Sequence, residues 1–294
     1  MYIIPLFFIK VNDLHLSFRY YILIVTGKPD ASGGKEEKMQ TSFQVKGITI
    51  GEGRPVICVP VVEQKKENVI AKIKELVEKR AQMIEWRVDC FEGVREPEEV
   101  GEILRDVKDA VKETPFLFTF RTKQQGGSLS LEEYKILRLN EIAAKSGAVD
   151  LVDLEFFEAT RPEKEIRRLQ RMGVRIVASH HDFQGTPDER ILHMLMDQMQ
   201  QGGADVAKLA VMPQSTEDVL RLLKLTSDTR KKYPTLPIVT MSMGGLGVIS
   251  RLAGEVFGSC ITFGADGAVS APGQIQMNDL AGILDTLHES IQQG

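Results

Sequence analysis

Asp205-Val206-Ala207-Lys208-Leu209-Ala210-Val211 is a short apolar run interrupted once by a lysine. An amphipathic segment, residues 215–232, follows it, and then a second apolar run at residues 237–242. This succession of strand, helix and strand is the pattern of a parallel βαβ unit. Working outward, the same alternation fills the chain from residue 55 on. Strand patterns fall at residues 56–62, 83–89, 116–121, 149–156, 174–180, 205–211, 237–242 and 260–263. Amphipathic helical patterns such as 67–79, 98–111 and 131–145 lie between them. Eight units point to an α/β fold closed into a (β/α)8 barrel rather than an open sheet. Residues 43–50 precede the first unit and read as a β-hairpin closing the barrel bottom.

The bulk properties agree with this reading. The chain has 294 residues, 43% of them hydrophobic, which is long for one ordinary domain but normal for a barrel. Its net charge of -4 argues against nucleic acid as a partner, because phosphate binding needs concentrated Lys and Arg. The basic residues are spread along helices beside acids, as in Glu75/Lys79 and Glu163/Arg167, the pattern of solvated helix faces. Cys58, Cys90 and Cys260 are far apart and form no metal or redox motif. They read as small core residues in a reducing compartment.

Period-two alternation sorts the side chains. Glu85 and Arg87 share one face and Trp86 takes the other. Phe116, Phe118 and Phe120 share the face under the helices, which turns Leu117, Thr119 and Arg121 inward. Lys208 shares its face with Val206 and Ala210, and Val239, Met241 and Met243 line up together as apolar wall. The inward polar residues gather at the C-terminal strand ends, where barrel enzymes place their chemistry.

Lys208 is the first candidate. Burial among small apolar residues strips an ammonium of hydration, and the neutral amine is a nucleophile that forms Schiff bases with ketones. The plainer reading is a lysine that snorkels out at a strand end. Ser179-His180-His181-Asp182 ends the preceding strand; adjacent histidines point to opposite faces, so one of them reaches the barrel mouth near Lys208. A base that titrates near neutrality suits an imine-forming lysine. Glu85 and Arg87 are either a structural pair or hydroxyl-binding groups. Glu155 reads as a structural partner for a nearby cation. Loop glycines follow three strands at Gly126-Gly127, Gly244-Gly245 and Gly264. No GxGxxG, P-loop or HExxH spacing is present.

Residues 1–38 differ from the rest. Apolar stretches at 2–9 and 20–25 are interrupted by polar and charged residues, and a polar linker follows. No run there suits a bilayer span or a secretory signal. The expectation is a non-native or disordered extension, with the true start at Met39, because Lys35-Glu36-Glu37 can be encoded by a purine-rich ribosome-binding site. A peripheral membrane anchor is the alternative, and intact mass separates the two.

Together these residues resemble the type I 3-dehydroquinate dehydratases. The resemblance runs from about Gly47 to the C-terminus. It rests on Ile50-Gly-Glu-Gly-Arg-Pro55, Glu85-Trp-Arg-Val-Asp89, Phe118-Thr-Phe-Arg121, Asp153-Leu-Glu155, Ser179-His-His-Asp-Phe183, Lys208-Leu-Ala-Val-Met-Pro213 and Met241-Ser-Met243. Gly247-Val-Ile-Ser-Arg-Leu-Ala-Gly-Glu-Val-Phe-Gly-Ser259 and Ser270-Ala-Pro-Gly-Gln274 complete it. The resemblance implies a TIM barrel that works as a cytoplasmic homodimer without metal or organic cofactor. It implies dehydration of 3-dehydroquinate to 3-dehydroshikimate in aromatic amino acid biosynthesis. It assigns Lys208 as Schiff-base lysine and His181 as general acid/base. Glu85, Arg87 and Arg121 would hold substrate hydroxyls and Arg251 the carboxylate. Ser270 and Gln274 would sit on a loop that closes over the substrate.

One departure stands out: where the family usually has glutamate before the glycine pair, this chain has Gln125. An amide can hydrogen-bond the catalytic histidine but adds no charge, so the expectation is a lower histidine pKa with activity retained. Two other readings stay open: a different Schiff-base barrel enzyme such as a class I aldolase, and a family-like protein retained for binding or scaffolding.

Overall fold

The computed structural model describes residues 42–267 and 269–293. The extension expected over residues 1–38 and the start at Met39 lie outside the described residues.

The described chain opens with a hairpin, β1 (Phe43–Val45) and β2 (Ile48–Ile50). The turn is Lys46-Gly47, both at positive φ, which matches the twist of a two-residue hairpin. Eight strand–helix steps follow: β3 (Val56–Val61), α1 (Lys66–Glu78), β4 (Met83–Arg87), α2 (Pro97–Val107), β5 (Phe116–Thr119), α3 (Glu133–Ser146), β6 (Leu151–Glu155) and α4 (Pro162–Gln170). The second half runs β7 (Arg175–Asp182), α5 (Glu189–Gln201), β8 (Val206–Val211), α6 (Thr216–Lys232), β9 (Ile238–Ser242), the short α7 (Ile249–Leu252) and α8 (Gly254–Phe257), β10 (Ile261–Phe263) and α9 (Met277–Gln292). The sheet order is β10-β3-β4-β5-β6-β7-β8-β9, all parallel. The Cys260 N–H donates to the Ile238 carbonyl at 2.8 Å, so β9 meets the residues just before β10 and the barrel closes.

Alternation divides the core as expected. Trp86, Phe116, Phe118, Phe120, Ala178 and Leu209 pack under the helices. Met83, Leu117, Leu151, Val177, Val206 and Val239 fill the barrel interior. The hairpin plugs one end of that interior with Phe43, Val45, Ile48 and Ile50. Lys46 fixes it by donating to the carbonyls of Val111 and Thr114 and by pairing with Asp150 at 2.7 Å, all in the segments that lead into β5 and β6. The bottom is therefore sealed by apolar packing, and polar inward residues are confined to the top. The helices read from the sequence sit within a few residues of their expected bounds. Cys58 and Cys260 are buried as expected, whereas Cys90 is only half-buried, with Sγ 3.2 Å from Ser128 Oγ.

Candidate active site

Strand register assembles the site. Pairing sets Arg87 beside Thr119, Thr119 beside Asp153, Glu155 beside Ser179, and Ser179 beside Lys208. In a parallel sheet such neighbours share a face, so a continuous polar arc lines the top of the barrel. All eight residues expected to touch substrate, namely Lys208, His181, Glu85, Arg87, Arg121, Arg251, Ser270 and Gln274, line one cavity. Met241, Met243 and Phe263 supply its apolar wall.

Lys208 is 3% exposed, so its burial is as expected. Its surroundings are not wholly apolar, however. Nζ donates to Asp153 Oδ2 at 3.1 Å, lies 4.0 Å from Glu85 Oε1, and stands 4.5 Å from the Phe263 ring centroid. The flanking residues along the strand are small and apolar, but the neighbours across the barrel are carboxylates, which one strand cannot reveal. Glu85 is fixed by the Thr119 hydroxyl at 2.8 Å. Asp153 also accepts from Ser179 Oγ at 2.5 Å. Burial alone would raise the Asp153 carboxyl, but Arg121 and Lys208 overcome it and hold it below the usual range.

Arg87 grips Asp89 through Nε at 2.7 Å and Nη2 at 2.9 Å, a two-point pair that fixes the guanidinium plane. Asp89 accepts as well from the backbone N–H groups of Arg121 and Ser128 at 3.2 and 3.0 Å. Burial opposes its ionisation, yet Arg87 and those N–H groups keep it low. Arg121 Nη1 donates to Glu155 Oε1 at 2.9 Å and Ser179 Oγ at 3.0 Å. Its Nη2 lies 2.8 Å from Asp153 Oδ1 but out of line for a hydrogen bond, so that contact is an ion pair only. Glu155 is thus the structural partner of a cation, as expected; burial outweighs Arg121 and leaves its carboxyl raised.

Of the two histidines, His181 faces the cavity. His180 packs edge-on against Phe157, ring centroids 5.3 Å apart. The His181 backbone N–H donates to Gln125 Oε1 at 2.8 Å, and its Nδ1 lies 3.4 Å from the same oxygen. Gln125 Nε2 in turn donates to Glu158 Oε1 at 3.3 Å. The amide is therefore oriented from both ends, and its oxygen favours the tautomer with the proton on Nδ1. That leaves the other nitrogen as a base. Loss of hydration, then the charges of Arg121, Lys208 and Arg87, depress the His181 pKa well below the usual value. The turn that delivers Gln125 depends on glycine: Gly126 has φ +88°, and a Cβ on Gly127 would meet the Arg121 carbonyl oxygen at 1.8 Å.

Arg251 differs from the other arginines of the cavity because no carboxylate among the described residues pairs with it. Its Nη2 donates to the Pro272 carbonyl at 2.9 Å, and its Nε finds no hydrogen-bond partner among them. Burial pushes its pKa down to about 10. Pro272 belongs to the loop carrying Ser270 and Gln274, which bond each other: Ser270 N–H to Gln274 Oε1 at 2.8 Å and Gln274 Nε2 to Ser270 Oγ at 2.9 Å.

Asp153, Asp89, Ser179 and Glu158 were not singled out from the sequence. Asp153 could have been found, because it shares a face with Glu155 in Asp153-Leu154-Glu155. Glu158 reaches Gln125 from a loop, and no periodicity points to it. Among the described residues, Glu189, His193 and Asp228 come together with cation-ligand spacing, but the Lys224 ammonium already pairs with both carboxylates there.

The type I 3-dehydroquinase family model matches residues 57–291. The chain belongs to that family. The type I 3-dehydroquinase relatives include 3-dehydroquinate dehydratase of Clostridioides difficile, 44% identical over 254 residues, which cover 86% of this chain and all of that one. The 3-dehydroquinate dehydratase of Klebsiella pneumoniae is 43% identical over 253 residues, covering 85% of this chain and all of that one. A crystal structure of the type I C. difficile enzyme with covalent modified comenic acid superposes with a TM-score of 0.82, covering 86% of this chain and 100% of that one. The Geobacillus kaustophilus enzyme superposes at 0.81 and 40% identity, covering 84% and 96%. Carboxyl transferase domains of Rhizobium etli pyruvate carboxylase, at 13% identity, share the barrel fold alone.

Proposed function

We propose that this type I 3-dehydroquinase dehydrates 3-dehydroquinate to 3-dehydroshikimate, a step of the shikimate pathway, through a Schiff base on Lys208. The observation that carries the reading is the pairing of a buried lysine with a neutral histidine base in one cavity that also holds a cation without a carboxylate partner among the described residues. Such a cavity asks for a substrate with one carboxylate, an electrophilic carbon and hydroxyls. Arg251 takes the carboxylate, which replaces the counter-ion it lacks. Glu85, Arg87 and Arg121 hold hydroxyls; the two bonds from Arg87 to Asp89 use Nε and Nη2, which leaves Nη1 for this purpose.

The chemistry runs in balanced steps. The Lys208 ammonium first passes a proton to His181; the free amine adds to the C3 ketone, and that proton returns to the carbinolamine hydroxyl, which leaves as water and gives an iminium. Its positive nitrogen accepts the electron pair when His181 removes a C2 proton. The enamine returns that pair and expels the C1 hydroxyl, which leaves as water with the proton His181 carries. Water then adds to the product iminium and gives a proton to His181; its return to the nitrogen breaks the C–N bond, so 3-dehydroshikimate leaves and the Lys208 ammonium is restored. His181 serves as base and acid in turn; its lowered pKa keeps it the free base until a proton is passed to it. Asp153 keeps Nζ aimed into the cavity while the amine is in its resting ion pair.

Two further parts of the reading come with the family: a homodimer and a cytoplasmic location. Among the described residues, no helix is long and apolar enough to cross a membrane. Borohydride reduction in the presence of 3-dehydroquinate, followed by peptide mass mapping, tests the central claim. A reduced adduct on the Lys208 peptide is the expected result, and turnover without one sinks the Schiff-base route. A substrate panel read by absorbance of the conjugated product separates this reading from an aldolase.

A further inference from the structure

His181 stands in a field that opposes the proton it has to carry. Burial lowers its pKa, and the charges of Arg121, Lys208, Arg87 and His180 lower it further, from β5, β8, β4 and its own strand. The acids of the same cavity are engaged elsewhere. Glu85 lies 4.0 Å from Lys208, Asp153 pairs with Lys208 and Arg121, and Glu155 accepts from Arg121 Nη1.

One chain of hydrogen bonds leads from the ring to a carboxylate outside the cavity. The Gln125 side chain, 2% exposed, lies between His181 and Glu158. Chemistry dictates its orientation at both ends. The His181 backbone N–H can only donate, so the atom 2.8 Å from it is the amide oxygen. An ionised carboxylate only accepts, so the atom 3.3 Å from Glu158 Oε1 is the amide nitrogen. The same amide oxygen stands 3.4 Å from His181 Nδ1. The order is carboxylate, amide N–H, amide oxygen, imidazole N–H, with every donor meeting an acceptor. A carboxylate on one end of an amide polarises it and makes the oxygen at the other end a stronger acceptor. Glu158 itself is exposed, on the loop after β6. Its charge therefore keeps its hydration, whereas a carboxylate at the buried position 125 would lose it.

We propose that Glu158 is a positioning residue for the reaction, acting through Gln125 to hold the proton on His181 Nδ1 and to strengthen the other ring nitrogen as a base. The proposal rests on the role given to His181 above. Glu158 also acts on His180, whose pKa burial lowers and Asp182 and Glu158 raise, so the two histidines have to be followed separately.

Glu158→Gln removes the charge and keeps a carbonyl to accept from the Gln125 amide. NMR of the whole ligand-free protein with isotope-labelled histidine, assigned with His181→Asn, reads the imidazole directly. The His181 pKa is expected to fall by about half a unit in Glu158→Gln, and the acid limb of kcat/KM to move down with it. Gln125→Met cuts the chain, so adding Glu158→Gln to it is expected to shift nothing further. An unmoved His181 pKa in Glu158→Gln overturns the proposal, and that variant changes only an exposed loop residue. A shift of equal size in the Gln125→Met background also overturns it, because the charge then acts across space and not through the amide. A His181 pKa that falls while the kcat/KM limb stays in place supports the relay and counts instead against His181 as the base of the reaction.

Discussion

Lys208 and Asp153 face each other across the barrel, Nζ to Oδ2 at 3.1 Å, with both side chains buried. Asp153 also stands 2.8 Å from Arg121, so one carboxylate serves two cations. Removing its charge leaves buried cations short of a counter-charge, which costs about 3–5 kcal/mol for a broken buried pair. Asp153→Asn is therefore expected to lower the melting temperature clearly and to reduce borohydride trapping at Lys208. Calorimetry and adduct mass spectrometry read the two effects. A variant that traps as well as wild type would remove Asp153 from the positioning of the amine.

The neutral partner of His181 sets a pH dependence. In the proposed mechanism His181 takes the C2 proton as the free base, so kcat/KM is expected to fall on the acid side as the imidazole gains a proton. Its depressed pKa puts that limb at low pH. Gln125→Glu places a carboxylate beside Nδ1 and is expected to move the limb up by about one unit. The same change sets the new carboxylate against Glu158, to which the Gln125 amide now donates at 3.3 Å. The double variant with Glu158→Gln is expected to keep the shifted limb and regain stability. An unmoved limb counts against a tuning role for Gln125.

Arg251 joins function to instability. A buried guanidinium without a carboxylate partner is unfavourable in the ligand-free fold. Arg251→Met is expected to raise the melting temperature while raising KM by roughly 10²-fold, the scale of losing a charge-assisted pair of hydrogen bonds. Arg251→Lys is expected to recover only part of the KM, since an ammonium lacks the fork. A melting temperature that falls in Arg251→Met would show that the loop contact to Pro272 outweighs the unpaired charge.

Stability is also expected to decline with acid before the carboxylates titrate. The folded pKa of His181 lies below its unfolded value near 6.5, so its share of stability is present above that pH. That share is lost as pH falls from there toward the lower folded value. Thermal melts of wild type and His181→Asn across pH 7 to 4 check this; the variant is expected to show a flatter profile. His181 lines a cavity rather than the core, so the difference should be modest.

The barrel was legible because its signal is repeated. Eight apolar runs at regular spacing, with Trp86 opposing Glu85 and Arg87 and three phenylalanines opposing Thr119, fix inward and outward faces without any long-range knowledge. The same alternation put Lys208, Arg121 and one of two histidines at the mouth. What it could not give was distance across the barrel. Lys208 looks isolated along its own strand, yet Asp153 sits two strands away and Glu85 four. Gln125 and Glu158 come from loops, where no period exists, and only folding shows that an amide links a carboxylate to the His181 imidazole. The unpaired state of Arg251 was equally hidden, because a missing partner leaves no mark in a sequence.

Ser270 and Gln274 hold each other by two hydrogen bonds above the cavity. Their polar atoms are satisfied before any ligand arrives, so the loop gains little by collapsing onto whatever enters. A hydroxylated molecule can exchange those bonds one for one. An apolar molecule of the same shape can only leave the amide and the hydroxyl to rejoin one another. If the loop meets substrate as proposed, it works as a swap partner, and admission would turn on whether a visitor returns as many hydrogen bonds as it displaces.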